Sequence, residues 1–408
     1  MTLTPQASPA PEQEEAPRTP ADGQWHHVMR TVTSGNALVG VLAVVLAVLV
    51  GSILILATDA QVRETAGFLT ARPGDFLAAS RDAIGGAYGA LFRGSIYNTR
   101  AADFQTGIRP LTETLKFAGP LIAAGLGVGL AFRTGMFNIG GRGQMLLAGG
   151  AAGWVGINLD APRLVQLPVA VLAGMLAAAL WAGLAGVLKA RTGAHEVIVT
   201  IMLNYVAFYL LFYALSSQSI LQAPGTVNPK SLPMDQNAVL PKVLGDRFNL
   251  HAGFLLALVA VAAVWWLLNR SALGYRFRAV GENPHAARTA GIDVGRTYVV
   301  AMLIAGGLVG LAGVNQVLGT VPSGVSTDLD AGIGFDAITV ALLGRSNPLG
   351  ILGAGLLFGA FKAGGFAMQA SEGIPVDIVL VIQSLIVLFI AAPPLVRALF
   401  RLPTQEAK

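Results

Sequence analysis

The chain has 408 residues, 54% hydrophobic and only 12% charged, against about 25% charged in ordinary soluble domains. Residues 35–57, 164–188 and 298–319 contain no Asp, Glu, Lys or Arg, and about 20 apolar residues cross the hydrocarbon core as a helix. A soluble enzyme, a collagen-like chain and a disordered protein are excluded; the net charge of +5 reads as cytoplasmic Lys and Arg rather than nucleic-acid binding.

The fold class is all-α: a polytopic membrane protein. Residues 1–34 form an expected disordered cytoplasmic tail, Pro-rich and acidic at its start, with too little apolar surface to fold. It lacks the basic start of a signal peptide. Apolar stretches then predict about ten spans, at 35–57, 117–132, 143–159, 164–188, 197–215, 251–269, 298–319, 333–344, 349–369 and 376–396. Residues 76–97 carry Arg81, Asp82 and Arg93 and read as a surface helix at the membrane boundary. One transmembrane unit thus covers 35–396, followed by a cytoplasmic tail at 397–408. The short segments 133–142, 189–196, 270–297 and 345–348, with the two tails, hold most of the Lys and Arg. The positive-inside rule puts them and both termini in the cytoplasm.

Glycine pairs spaced GxxxG occur at Gly125/Gly129, Gly149/Gly153, Gly306/Gly310 and Gly355/Gly359. Each places two glycines on one helix face, and they read as packing surfaces. With no Cys, disulfides and thiolate chemistry are excluded. There is no GxxxxGK[ST], HExxH or GxSxG, and the five His are scattered. No catalytic site, metal or cofactor is expected.

Phe137–Gln144 is polar and Gly-rich between two apolar runs, so the helix breaks there. Broken helices are tolerated at membrane depth beside protein or a water-filled cavity. Asn138 and Gln144 could bind a polar neutral solute or seal a short inner turn. Asp336 interrupts an apolar span; it should face the bundle interior or a cavity, or cap a helix at the outer interface. Asn204, Asn315 and Gln316 are further polar groups in spans, suited to helix-to-helix hydrogen bonds or to solute contact. Lys362 snorkels or pairs.

The most informative polar segment is 270–297. Asn283 suits an N-cap, Pro284 the first helical position and Gly291 the stop past the end. Ala286, Ala287 and Ala290 form a small-residue face, and so short a helix must dock on something.

The run Gly281-Glu282-Asn283-Pro284…Ala286-Ala287-Arg288…Ala290-Gly291-Ile292 resembles the cytoplasmic coupling loop of ABC importer permeases. These form the branched-chain amino acid, ribose and nucleoside superfamily. Phe137-Asn138-Ile139-Gly140…Gly143-Gln144, Glu196-Val197-Ile198…Met202-Leu203-Asn204-Tyr205 and Gly334-Phe335-Asp336-Ala337-Ile338…Leu343-Gly344 are similar to three more of that group's motifs, in order from about residue 110 to 396. The nucleoside-uptake branch is the most similar. Arg142 stands where the family often has Glu, and His195 where it often has Asn.

The resemblance implies the membrane-spanning subunit of an ATP-driven importer of nucleosides in the cytoplasmic (inner) membrane, without an ATPase site of its own. It implies a second permease subunit, identical or paralogous, and an extracytoplasmic solute-binding protein that delivers a small polar solute. It also implies ABC ATPase subunits docked on Glu282, Asn283, Pro284, Ala286, Ala287, Arg288 and Gly291. The expected substrate path holds Asn138, Gln144, Asn204, Asn315, Gln316 and Asp336, with Asn138 and Asp336 approaching a common cavity. A simple-sugar permease of the same superfamily is the nearest alternative. An ion-coupled secondary transporter would need intramembrane carboxylates, and only Asp336 and the peripheral Asp377 and Glu196 are available. A membrane enzyme acting on lipid would need clustered acids or His.

Overall fold

The structure is a computed structural model in which residues 36–401 are described; the expected tail at 1–34, and 402–408 of the C-terminal tail, lie outside them. In chain order the helices are α1 (Asn36–Thr58), α2 (Ala60–Ala66), α3 (Pro73–Ser95), α4 (Phe104–Arg133), α5 (Gly141–Asn158), α6 (Arg163–Thr192), α7 (Glu196–Leu215) and α8 (Gly253–Arg270). They continue as α9 (Ala272–Glu282), α10 (Pro284–Thr289), α11 (Val294–Asn315), α12 (Ile333–Leu343), α13 (Pro348–Glu372), α14 (Val376–Ala391) and α15 (Pro393–Leu399). A π-turn, Gln316–Thr320, extends α11. The described residues form no strand, only an isolated bridge between Lys242 and His251.

All ten expected apolar stretches are helical, but the expected ten crossings are not matched by ten long helices. Among the described residues, six helices are long and apolar enough to cross a membrane, or seven if α1 and α2, bent by 76°, form one broken span. The six are α4, α6, α7, α8, α11 with its π-turn, and α13. At 1.5 Å per residue, the 11 residues of α12 reach only about half of a ~30 Å hydrocarbon core. The Gly-rich α5 is largely buried inside the bundle, where it needs little hydrophobicity of its own. α4 starts well before the expected 117, because Asp103 caps it by accepting from Thr106 N at 2.6 Å. It continues through Pro110 and Pro120.

The core gathers α4, α8, α11, α12 and α13. All four GxxxG pairs pack against neighbours within the chain. A Cβ on Gly306 would lie 2.4 Å from Ala182 Cβ on α6, and one on Gly359 would lie 2.6 Å from Thr114 O on α4. α3, expected as a surface helix, packs against the bundle along one face. Ala87 and Ala90 are buried, and a Cβ on Gly94 would strike Ala367 Cβ of α13 at 2.1 Å. With α1 and α14 it forms a peripheral layer.

The outward faces are apolar. Leu172, Leu176, Leu180, Leu184 and Leu188 form an exposed stripe along α6, the surface that a lipid environment covers. The two ends of the bundle differ. The loop 216–252 closes one end, where Arg163 Nη2 donates to Val239 O at 2.7 Å and Asn249 Nδ2 to Glu113 Oε1 at 2.6 Å. The 270–297 segment lies at the other, against the C-terminal end of α4.

Candidate functional site

The break between α4 and α5 is sealed by side-chain amides. Asn138 is fully buried. Its Nδ2 donates to Gln144 Oε1 at 3.2 Å, and its Oδ1 accepts from Gln144 Nε2 at 3.0 Å and from Gly140 N at 3.0 Å. Asn204 on α7 holds the same turn from outside: Oδ1 accepts from Gly143 N at 2.8 Å and Nδ2 donates to Ile139 O at 3.0 Å. Thr200 Oγ1, one turn earlier, accepts from Ile139 N at 3.3 Å. These bonds satisfy backbone groups that a helix break exposes. Asn138, Gln144 and Asn204 thus form one network. In this conformation the first two are spent on each other, as sealing an inner turn requires. Thr200 carried no motif signal and was missed.

Asn315 and Gln316 sit where α11 passes into its π-turn, a feature frequent at functional sites. Asn315 Nδ2 donates to Gly253 O at 3.3 Å and Gln316 Nε2 to Leu329 O at 3.2 Å. The side-chain oxygens of both are buried without a hydrogen-bond partner among the described residues. Next to them is His251, in the loop just before α8. Its Nδ1 accepts from Gly253 N at 3.2 Å. Burial, with Lys116 adding to it, pushes the His251 imidazole down to about 4.

Asp336 belongs to a charged junction that reasoning from sequence saw only in part. Gly334 of α12 and Gly141 of α5 approach so closely that a Cβ on Gly334 would lie 2.4 Å from Arg142 N. The N-terminal ends of the two short helices therefore touch. Arg142 Nε lies 3.4 Å from Asp330 Oδ1, and its guanidinium sits 5.6 Å from the Phe208 ring. Arg142, where the family often has Glu, thus has a buried acid as partner. Asp336 is 4.0 Å from Lys362 Nζ, which also donates to Ala331 O at 2.8 Å. Lys362 pairs rather than snorkels. A cavity of about 290 Å³ opens beside the junction, lined by Arg142, Asp328, Asp330, Ala331, Gly332 and Phe335. Asp330 lies in an irregular segment, and only its separation from Arg142 in space makes it visible.

The 270–297 segment folds as its local chemistry dictates. Asn283 Oδ1 accepts from His285 N at 2.9 Å and Ala286 N at 3.1 Å, Pro284 opens α10, and Gly291 has φ +81°. The expected small-residue face is split. Ala286 and Ala290 are exposed with Glu282, Asn283 and Arg288, but Ala287 turns inward and packs with Val280, Val294 and Tyr298. Gly281 abuts the end of α4 at Arg133 and Gly135. The segment is thereby in backbone contact with the chain that leads into the Asn138 turn.

Among the described residues, no three His, Asp or Glu side chains gather as metal ligands. The arrangement offers docking, polar lining and paired charge. Residues 111–391 match the family described as branched-chain amino acid transport system / permease component. The chain belongs to this permease family. The guanosine ABC transporter permease protein NupP of Bacillus subtilis is 38% identical over 285 residues, 70% of this permease and 82% of the relative. The nucleoside ABC transporter permease protein NupB of Lactococcus lactis is 35% identical over 305 residues, 73% and 83% of the two chains. The glucose ABC transporter permease protein TsgB13 of Haloferax volcanii is 35% identical over 314 residues, 74% and 79%. No solved structure matches the permease.

The permease is a multi-pass membrane protein by its family and its apolar helices. The matched stretch contains the amide-sealed break, the charged junction and the 270–297 segment. α1, α2 and α3 precede it, so the peripheral layer is largely built from chain outside the family match.

Proposed function

We propose that this permease is the membrane-spanning subunit of an ATP-driven importer that carries nucleosides across the cytoplasmic membrane. The observation that carries the reading is the 38% and 35% identity to a guanosine and a nucleoside permease, each over more than four-fifths of the relative. ATPase subunits dock on the exposed side of α10, through Glu282, Ala286, Arg288 and Ala290, and supply the hydrolysis that this chain does not perform. A second permease subunit completes the path, and a solute-binding protein delivers substrate at the end closed by the loop 216–252. Both termini lie on the ATPase side.

The path runs past the junction of α5 and α12, where Arg142, Asp328 and Asp330 line a cavity and Asp336 pairs with Lys362 beside it. Asn315 and Gln316, with side-chain oxygens still free to accept, line it further along. Asn138, Gln144 and Asn204 act one step back, fixing the break that carries Arg142. Asp336 is matched by Lys362 and Asp330 by Arg142, which among the described residues leaves Asp328 as the carboxylate at this junction without a cation.

A glucose permease at 35% identity favours a second reading, transport of a simple sugar. Uptake of labelled guanosine and of labelled glucose into cells with and without the intact chain separates them. Guanosine uptake that disappears with the chain supports the nucleoside reading. Chain-dependent glucose uptake without guanosine uptake replaces it. Uptake of neither, with folded protein in the membrane, removes both.

A further inference from the structure

We propose that the permease binds an anionic phospholipid in an arginine-rimmed pocket at the end of the bundle opposite the 270–297 segment. The pocket measures about 590 Å³ and lies where α3, α4 and α13 meet. Arg93 from α3, Arg100 from the connection and Arg109 from α4 reach it from three separate segments. Its remaining wall mixes Asn98, Thr106, Glu113 and Ser371 with an apolar side that holds the paired rings of Phe117 and Phe366.

The positive charge is only partly neutralised locally: Arg93 pairs with Glu372, and Arg100 and Arg109 have no acidic partner among the described residues. Arg93 Nη2 is buried and makes no hydrogen bond among the described residues; a Glu372 oxygen stands 3.6 Å away. Arg100 and Arg109 are exposed, and neither guanidinium has a partner among the described residues. Glu113, the acid nearest in the lining, is engaged by Lys116 and Asn249. The walls are held in place without a ligand. Thr114 Oγ1 donates to Ser95 O at 2.7 Å, and Asn98 N donates to Gly107 O at 2.9 Å. Three planar guanidinium groups around a fixed opening match a phosphate group. The aromatic wall selects a phosphate that carries an acyl chain over the free anion.

The full-length chain, purified in neutral detergent, is titrated with dioleoyl-phosphatidylglycerol, with dioleoyl-phosphatidylcholine and with inorganic phosphate. Binding is read by native mass spectrometry and by the shift in melting temperature. The expected result is at least tenfold tighter binding of phosphatidylglycerol than of phosphatidylcholine, with no shift from inorganic phosphate. Arg100→Gln with Arg109→Gln, both on the surface, should weaken phosphatidylglycerol at least tenfold while the melting temperature without lipid stays unchanged. Equal binding of the two lipids, or unaltered binding in the double variant, overturns the proposal. Protection by inorganic phosphate equal to that by lipid overturns the lipid assignment. None of these readouts depends on what the permease transports.

Discussion

A Cβ placed on Gly281 would lie 2.2 Å from the carbonyl oxygen of Arg133. The helix that leads into the docking segment therefore rests backbone to backbone on the end of α4, with no side chain between them to absorb a displacement. A push on α10 is delivered directly to the turn that Asn138 seals. Gly281→Ala should force the two apart. Uptake per folded molecule is expected to fall at least tenfold while the complex still hydrolyses ATP. Gly353→Ala is the control, because nothing lies within 4 Å of a Cβ there; equal uptake by the two variants would refute the contact's role.

Ala287 fills the small core of Val280 and Val294. Ala287→Trp should therefore reduce folded protein rather than leave the fold intact, since overpacking a filled site costs about 1–3 kcal/mol or more. The docking test belongs at Ala286, which is exposed. Cys at 286 should crosslink to an ATPase subunit and Cys at 287 should not. The reverse pattern would mean that α10 turns over on assembly.

Asn138→Ala removes both bonds to Gln144 and the acceptor for Gly140 N. A buried group left unsatisfied costs about 1–3 kcal/mol, so the yield of folded protein should drop while transport per folded molecule holds. A double-mutant cycle with Gln144→Ala should show coupling of about 0.5–3 kcal/mol. Normal yield with reduced transport would instead put Asn138 on the solute path.

Arg142→Gln leaves the buried Asp330 without its cation; because the Arg142 side chain is 37% exposed, water screens part of the loss, which is about 1–3 kcal/mol. Adding Asp330→Asn should restore much of the thermal stability. Uptake should stay low in the double variant if the cavity beside this pair is on the path, so stability and uptake measured together decide the point.

His251 titrates near 4 in the folded chain, against 6.5 when free. Below 6.5 the unfolded state takes up a proton that the folded state refuses. The contribution is thus whole above pH 6.5 and is lost as pH falls toward 4. At about 1.4 kcal/mol per pH unit that span corresponds to about 3 kcal/mol. Melting temperatures of wild type should fall between pH 7 and 4.5, and those of His251→Gln should fall less. Parallel curves would show that another group carries the acid sensitivity.

What could be read from the sequence was what local chemistry decides. Asn283, Pro284 and Gly291 specify a cap, a first turn and a stop through their own backbone preferences, and α10 has all three. Hydropathy found each apolar helix, yet it started α4 near 117, because the polar turns around Arg109 and Glu113 are paid no hydrophobic tribute by their sequence and are recruited by packing. Whether Ala287 faces in or out depends on where Val280 and Val294 come to lie, which no spacing encodes. The pairs Arg142–Asp330 and Asp336–Lys362 join residues from different elements, so each residue alone reads as an isolated charge. Asp330 was missed for that reason.

Four glycine pairs that allow close helix approach are used inside one chain: Gly306 and Gly310 against α6, Gly355 and Gly359 against α4, Gly125 and Gly129 against α12 and α13, and Gly149 and Gly153 against the segment before α12. Helices locked at such short range have almost no room to slide. Each subunit then behaves as a stiff lever. In the proposed assembly, the alternation between an outward and an inward opening is then a change of angle at the seam between two such levers rather than a sliding of helices within either one.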